Sequence, residues 1–248
     1  MSEWWTYRPS DFLMFSARSY YRLLELYNAA LWPAQPIVIA LGVLGLAALA
    51  WAGGRQPAPV WPQRIGCALL AAAWLWIAVA FHAQRFASIN TAASGYAVAW
   101  ALQAVVLLAL ALGTRGSDGP GRASVMRADA PARWTGLGLM AYAVGLHPWV
   151  GLWVGRSIGQ AEVAGLAPDP TALATLGLLL LLPRARDALQ RALRRVAWSI
   201  ALAWCALSGL TLAGLGAPDT WMLPALGTVA LGAAWRARGR VAASREPG

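Results

Sequence analysis

Between Glu25 and Arg55 the chain runs for 29 residues without a charged side chain, and it does so again between Arg85 and Arg115. A helix crossing the roughly 30 Å hydrocarbon layer of a bilayer needs about 20 mostly apolar residues. Further uncharged gaps of 20, 22 and 23 residues follow Arg64, Arg133 and Arg195, and each of the five holds one span. The gaps after Asp169 and Asp219 are only 14 and 16 residues, so a fifth and a seventh segment are short. A soluble domain carries about 25% charged residues, whereas this chain of 248 carries 12%. The expected fold is an all-α integral membrane protein, a single polytopic domain over 1–248. Its spans lie near 33–51, 65–82, 94–112, 134–153, 170–183, 196–215 and 220–235, seven in all, or six if a short one does not cross.

Charge placement orients these spans. All twenty basic residues are Arg. With seven spans, segments 52–64, 113–133, 183–195 and 236–248 share one side and hold 15 of them, while the other side holds 5. That is a positive-inside bias, which puts the C-terminus in the cytoplasm and the N-terminus outside. Dropping the fifth span alone would put the Arg-rich 113–133 and 183–195 segments on opposite faces, so parity favours crossing, with Arg184 and Arg186 snorkelling. Trp51, Trp61, Trp134, Trp198 and Trp235 fall at inner edges and Trp32, Trp149, Trp153 and Trp221 near outer ones, as in aromatic belts. The formal +10 is thus a topology signal rather than a lure for nucleic acid. A multi-pass protein of the bacterial cytoplasmic (inner) membrane is expected. The N-terminus lacks the basic start and apolar run of a cleavable signal peptide, so Met1 is expected to stay and the first span to direct insertion.

Segment 10–31 mixes Phe12, Phe15, Leu23, Leu26 and Tyr27 with Arg18, Arg22 and Glu25, which predicts an amphipathic helix on the outer surface, capped by Ser10 or Asp11. The plainer alternative is an upstream extension of the first span. Segment 114–133 is a Gly-, Pro- and Ser-rich cytoplasmic loop without a catalytic signature. From Arg184 to Arg195, Leu189, Leu193 and Val196 recur at helical spacing among Arg184, Arg186, Arg191, Arg194 and Arg195, a basic helix face suited to anionic inner-leaflet lipids. Gly151, Gly155 and Gly159 recur every four residues and extend a small-residue face that includes Gly136, Gly138 and Gly145. That spacing suits close helix packing far better than ligand contact.

Ionisable residues within spans point by default to function. His82 and His147 are both expected in the outer half, at similar depth. With Arg85, Asn90, Gln103 and the loop acid Glu162 they outline a polar pocket open to the outside, and Pro148 is expected to kink the helix beside His147 and free a carbonyl. The ordinary alternative makes His82 and Arg85 interfacial anchors and His147 a partner for a neighbouring helix. Metal binding would need a third ligand, with Glu162 and Asp169 the nearest choices, and a haem would need both histidines on facing helices. Cys67 and Cys205 lie in apolar runs and imply no disulfide. No hydrolase, protease or nucleotide-binding signature is found, and neither a cofactor nor a metal is expected.

Three stretches carry a resemblance. WWTYRPSDFLMFSARSYYRLLELYNAALWPAQ, FHAQRFASINTAASGYAVAWALQA and APDPTALATLGLLLL resemble the bacterial multi-spanning membrane-protein family known as domain of unknown function 6064. The resemblance covers most of the chain and implies an integral membrane protein, with no substrate, cofactor or catalytic residue attached. In the third stretch the family pattern has Cys between the two prolines where this chain has Asp169, which removes a thiol role there. Three functions compete: a small-solute or ion permease with an outward-facing polar site; a non-catalytic accessory subunit docking on another membrane protein or a second copy; and, less favoured, a redox or metal enzyme using both histidines.

Overall fold

A computed structural model describes residues 13–55, 59–113, 130–185 and 187–243, with side chains as far as 239. Ser10, Asp11, Arg186 and most of the 114–133 loop lie outside the described residues. Nine α-helices follow one another among those residues, with no named strand. Four of the helical stretches are long and apolar enough to cross a membrane: Ala34–Gly53, Trp61–Ser88, Ala93–Gly113 and Ala188–Gly214.

Helix α1, Ala17–Leu31, begins where the Ser16 side chain accepts from the Ser19 N–H at 3.2 Å, satisfying a donor the helix start leaves open. Its buried residues, Tyr20, Leu24 and Tyr27, make one stripe at helical spacing. α1 is a separate helix and not the upstream part of α2, Ala34–Gly53, which starts after Pro33 as the sequence suggests. α2 buries only Leu49 and Ala52 and turns Ile37, Leu41 and Leu44 outward.

Helix α3, Trp61–Trp76, continues through a π-helical turn, Ile77–Ala83, and a 3₁₀ turn, Phe86–Ser88. α4, Ala93–Gly113, returns beside it. α5, Ala130–Ala141, passes through a second π turn, Tyr142–Leu146, into α6, His147–Trp153. Pro148 has no N–H for the carbonyl one turn back and its ring crowds that carbonyl. The widened π turn before it takes up the misfit. His82 lies inside the first π turn and His147 directly after the second.

The short fifth segment is α7, Pro168–Leu181, and every one of its 14 residues is buried. At 1.5 Å per residue it is about 21 Å long, less than a bilayer core. α3, α5, α8 and α9 pack around it, so protein surrounds it on all sides. α5 crosses it so closely that a Cβ on Gly136 would lie 2.7 Å from the Gly177 carbonyl oxygen, and one on Gly177 would lie 2.7 Å from that of Gly136. Polar groups on α7 are satisfied internally, as lipid requires: Thr175 donates to the Thr171 carbonyl and accepts from the Trp74 indole, both at 2.8 Å.

α8, Ala188–Gly214, joins the basic segment and the sixth predicted span in one 27-residue helix, with Asp187 accepting from the Gln190 N–H at its start. α9, Met222–Ala243, carries the seventh beyond its 16-residue uncharged gap and over Arg236 and Arg238. Of the nine belt tryptophans, eight are exposed and Trp198 is half-buried.

Candidate functional site

The glycines of 151–159 do not form the packing face their spacing suggests. α6 stops at Trp153, because Gly155 adopts φ +84° while Arg156 N–H donates to Gly151 O at 2.7 Å and Gly155 N–H to Leu152 O at 3.2 Å. This pair of bonds is the Schellman termination, which favours Gly at that position. Gly151 packs against the Arg156 side chain and Gly159 against Glu25. Gly138 and Gly145 have nothing within 4 Å of an added Cβ, which leaves Gly136 as the member of that group at a close helix crossing.

The turn delivers Arg156 to Asp219, in the α8–α9 connection. The two form an ion pair at 2.5 Å with side chains only 13% and 9% exposed. The guanidinium also lies over the Tyr21 ring of α1, 5.0 Å from its centroid. Burial works against the Arg156 charge, but the carboxylates of Glu162 and Asp219 more than offset it, so its proton is held more tightly than usual.

Beneath this pair the 161–167 connection runs between α1 and α7. Asn28 of α1 donates to the carbonyls of Gly159 and Ala161, both at 2.8 Å, and Tyr27 to that of Leu166 at 2.9 Å. The connection carries Glu162 inward, where its Oε2 meets His147 Nε2 at 3.2 Å. Tyr142, on the π turn, packs edge-on to the same imidazole with centroids 5.7 Å apart. Asp169, 3% exposed, accepts from the Trp204 indole at 2.9 Å and the Ser208 hydroxyl at 2.7 Å. It lies within electrostatic reach of Glu162 and His147. On α1, Tyr20 is buried, and burial together with the negative charge of Glu162 and Asp169 pushes its phenol well above the usual value.

The cluster therefore holds three buried carboxylates, Glu162, Asp169 and Asp219, against one guanidinium and one imidazole. Asp169 stands apart. Among the described residues no cation makes an ion pair with it, and both its donors are neutral. An isolated buried carboxylate is costly unless paired, protonated or bound to a cation.

The pocket expected from His82, Arg85, Asn90, Gln103, His147 and Glu162 is not built as one. His147 and Glu162 meet; the other four lie elsewhere. His82 is fully buried with neither ring nitrogen hydrogen-bonded. Its ring is enclosed by Phe81, Phe86, Tyr96, Trp100 and Trp204 at centroid distances of 5.0–6.0 Å. Arg85 folds back to donate to Ala80 O and covers the Tyr27 ring. Asn90 accepts from the Ala92 N–H, turning the chain into α4. Gln103 donates to Ala197 O across the α4–α8 contact. Trp204 links His82 to the cluster, touching its ring and donating to Asp169. With the two imidazoles in different surroundings, a haem held between them has no basis in this geometry. Among the described residues no group of three or more His, Cys, Asp or Glu is placed to hold a metal ion.

Asp169, Arg156, Asp219, Trp204 and Ser208 are absent from the pocket read from the sequence. Asp169 did carry a signal, as an acid between two prolines at the head of the shortest apolar run. The Arg156–Asp219 pair joins residues 63 apart, and no local pattern announces it.

At the opposite end of α7 the described arginines of the basic segment gather. Arg184, Arg191, Arg194 and Arg195 line a cleft of about 500 Å³ together with Arg238 of α9.

Taken together, the structure is an all-helical chain with several apolar helices able to cross a membrane and ionisable residues buried among them. Residues 17–244 match the description "Family of unknown function (DUF6064)", and the chain belongs to that family. No curated protein and no solved structure matches the chain.

Proposed function

We propose that the protein is an ion permease of the bacterial inner membrane, N-terminus outside and C-terminus cytoplasmic, that takes up a proton or small cation at the Asp169–Glu162–His147 cluster. The observation that carries this reading is Asp169, a buried carboxylate with two neutral hydrogen-bond donors and no ion-pair partner among the described residues. Ionisable groups inside membrane helices mark ion and proton pathways. His147 and Glu162 exchange a hydrogen bond next to it, and the Arg156–Asp219 pair closes the cluster toward a surface cleft lined by Arg18, Tyr21 and Arg22. π turns at both histidines support a site, since such turns recur at functional positions.

The test is reconstitution of the full chain in liposomes containing a pH dye, with an imposed potential and Na⁺, K⁺ or Mg²⁺ gradients. Wild type is expected to conduct protons or one of these cations above protein-free vesicles, and Asp169→Asn to lose most of that flux. Flux equal in Asp169→Asn and wild type, or none above protein-free vesicles, removes the reading.

An accessory or assembly subunit is the second reading, and α2 favours it, because that helix is held to the bundle by one narrow face. A photo-crosslinking residue in place of Leu44, 66% exposed, would give a discrete protein adduct in native membranes. Adducts to lipid alone would remove this alternative.

A further inference from the structure

α7 ends at Leu181 after about 21 Å, while α8 and α9, of 27 and 22 residues, run on beside it. The space beyond its C-terminus is the cleft of about 500 Å³ between α5, α7, α8 and α9. We propose that this cleft binds a phosphate ester, with its phosphate among Arg191, Arg194, Arg195 and Arg238 and its apolar part on Leu179, Leu182 and Trp198.

Two helices aim guanidiniums into one concavity, and no Asp or Glu is among its described lining residues. The nearest described acid in sequence, Asp187, already serves the first turn of α8 through Gln190 N–H. Arg194 donates to the Pro183 carbonyl at the end of α7 and leaves its buried Nε–H without a partner. Like charges so placed repel, and a planar guanidinium fork matches two phosphate oxygens at once. The floor explains why a bare anion is not the whole ligand: Leu179 and Leu182 are buried, and Trp198 is half-buried here while the other belt tryptophans are exposed. The volume suits a headgroup with the first part of an acyl chain. A lipid headgroup and a free phosphate ester share this chemistry, and the experiment separates them. The proposal is independent of the permease reading.

The test uses the full chain purified in a mild detergent, with native mass spectrometry and thermal stability as readouts. The probes are phosphatidylglycerol, phosphatidylcholine, glycerol 3-phosphate and inorganic phosphate. Wild type is expected to retain one phosphatidylglycerol in preference to phosphatidylcholine. The pair Arg191→Gln and Arg195→Gln, both exposed and free of helix-core packing, is expected to lower that retention about thirtyfold. The control pair Arg55→Gln and Arg236→Gln removes the same charge from residues that do not line the cleft and is expected to change it less than about threefold. If glycerol 3-phosphate stabilises wild type as much as the lipid does, and the cleft pair abolishes this, the ligand is a free phosphate ester; if inorganic phosphate does as much, the ester is overturned. Equal loss in both pairs reduces the effect to diffuse charge and overturns the proposal, as does stabilisation by none of the probes.

Discussion

Asp169 and the Arg156–Asp219 pair illustrate two ways a carboxylate is kept inside this protein. Asp169 is held by neutral donors, so Asp169→Asn keeps the size and most of the hydrogen bonding. The melting temperature in detergent should stay near wild type while ion flux falls. Asp219 is held by a cation. Arg156→Gln leaves a buried carboxylate uncompensated, and breaking such a pair from one side costs about 3 kcal/mol or more. The variant should therefore melt well below wild type, and adding Asp219→Asn should restore a good part of the loss, giving a large coupling in a double-mutant cycle. Independent, additive losses would show that the pair does not act as a unit.

Among the elements, α7 crosses α5 backbone against backbone at Gly136 and Gly177. At Gly136 an added methyl meets the Gly177 carbonyl at 2.7 Å, where neither backbone can move without shifting the helix. Gly136→Ala should destabilise by about 1–3 kcal/mol, whereas Gly138→Ala, facing open space, should be neutral; melting curves of the two variants make the comparison. The same crossing shows what the sequence made legible. Each uncharged gap falls on an apolar helix, since charge exclusion from lipid is local. They mis-sized α8 and α9, because an Arg next to a span continues a helix as readily as it ends one. Four-residue glycine spacing placed Gly155 on a packing face, and its left-handed backbone instead ends the helix. The amphipathic reading of 10–31 has its helix at Ala17–Leu31, with Ser16 as the cap.

For the whole molecule, the half of the site that could be read was the half close in sequence. His147 and Glu162 are 15 residues apart in one loop-and-helix unit, whereas Asp169 meets Trp204 and Ser208 only once α7 and α8 are packed. Depth alone could not tell that His82 turns into an aromatic cage. The proposed seven-span topology yields its own measurement. Cys67 and Cys205 are buried, so single cysteines at the exposed positions Ser157 and Ala188 report without background. In intact spheroplasts, Ser157→Cys should react with a membrane-impermeant maleimide and Ala188→Cys only after lysis. Reaction of both from one side would cancel the proposed orientation.

The enclosure of α7 has a consequence for biosynthesis. A 14-residue segment headed by an acid is too short to span a bilayer core on its own, and in the bundle each of its residues is buried by protein. It should enter the membrane only when α8 emerges behind it and the two partition together. Chains truncated after Leu182 and released from the ribosome should leave this segment accessible to protease, and released chains truncated after Gly214 should protect it.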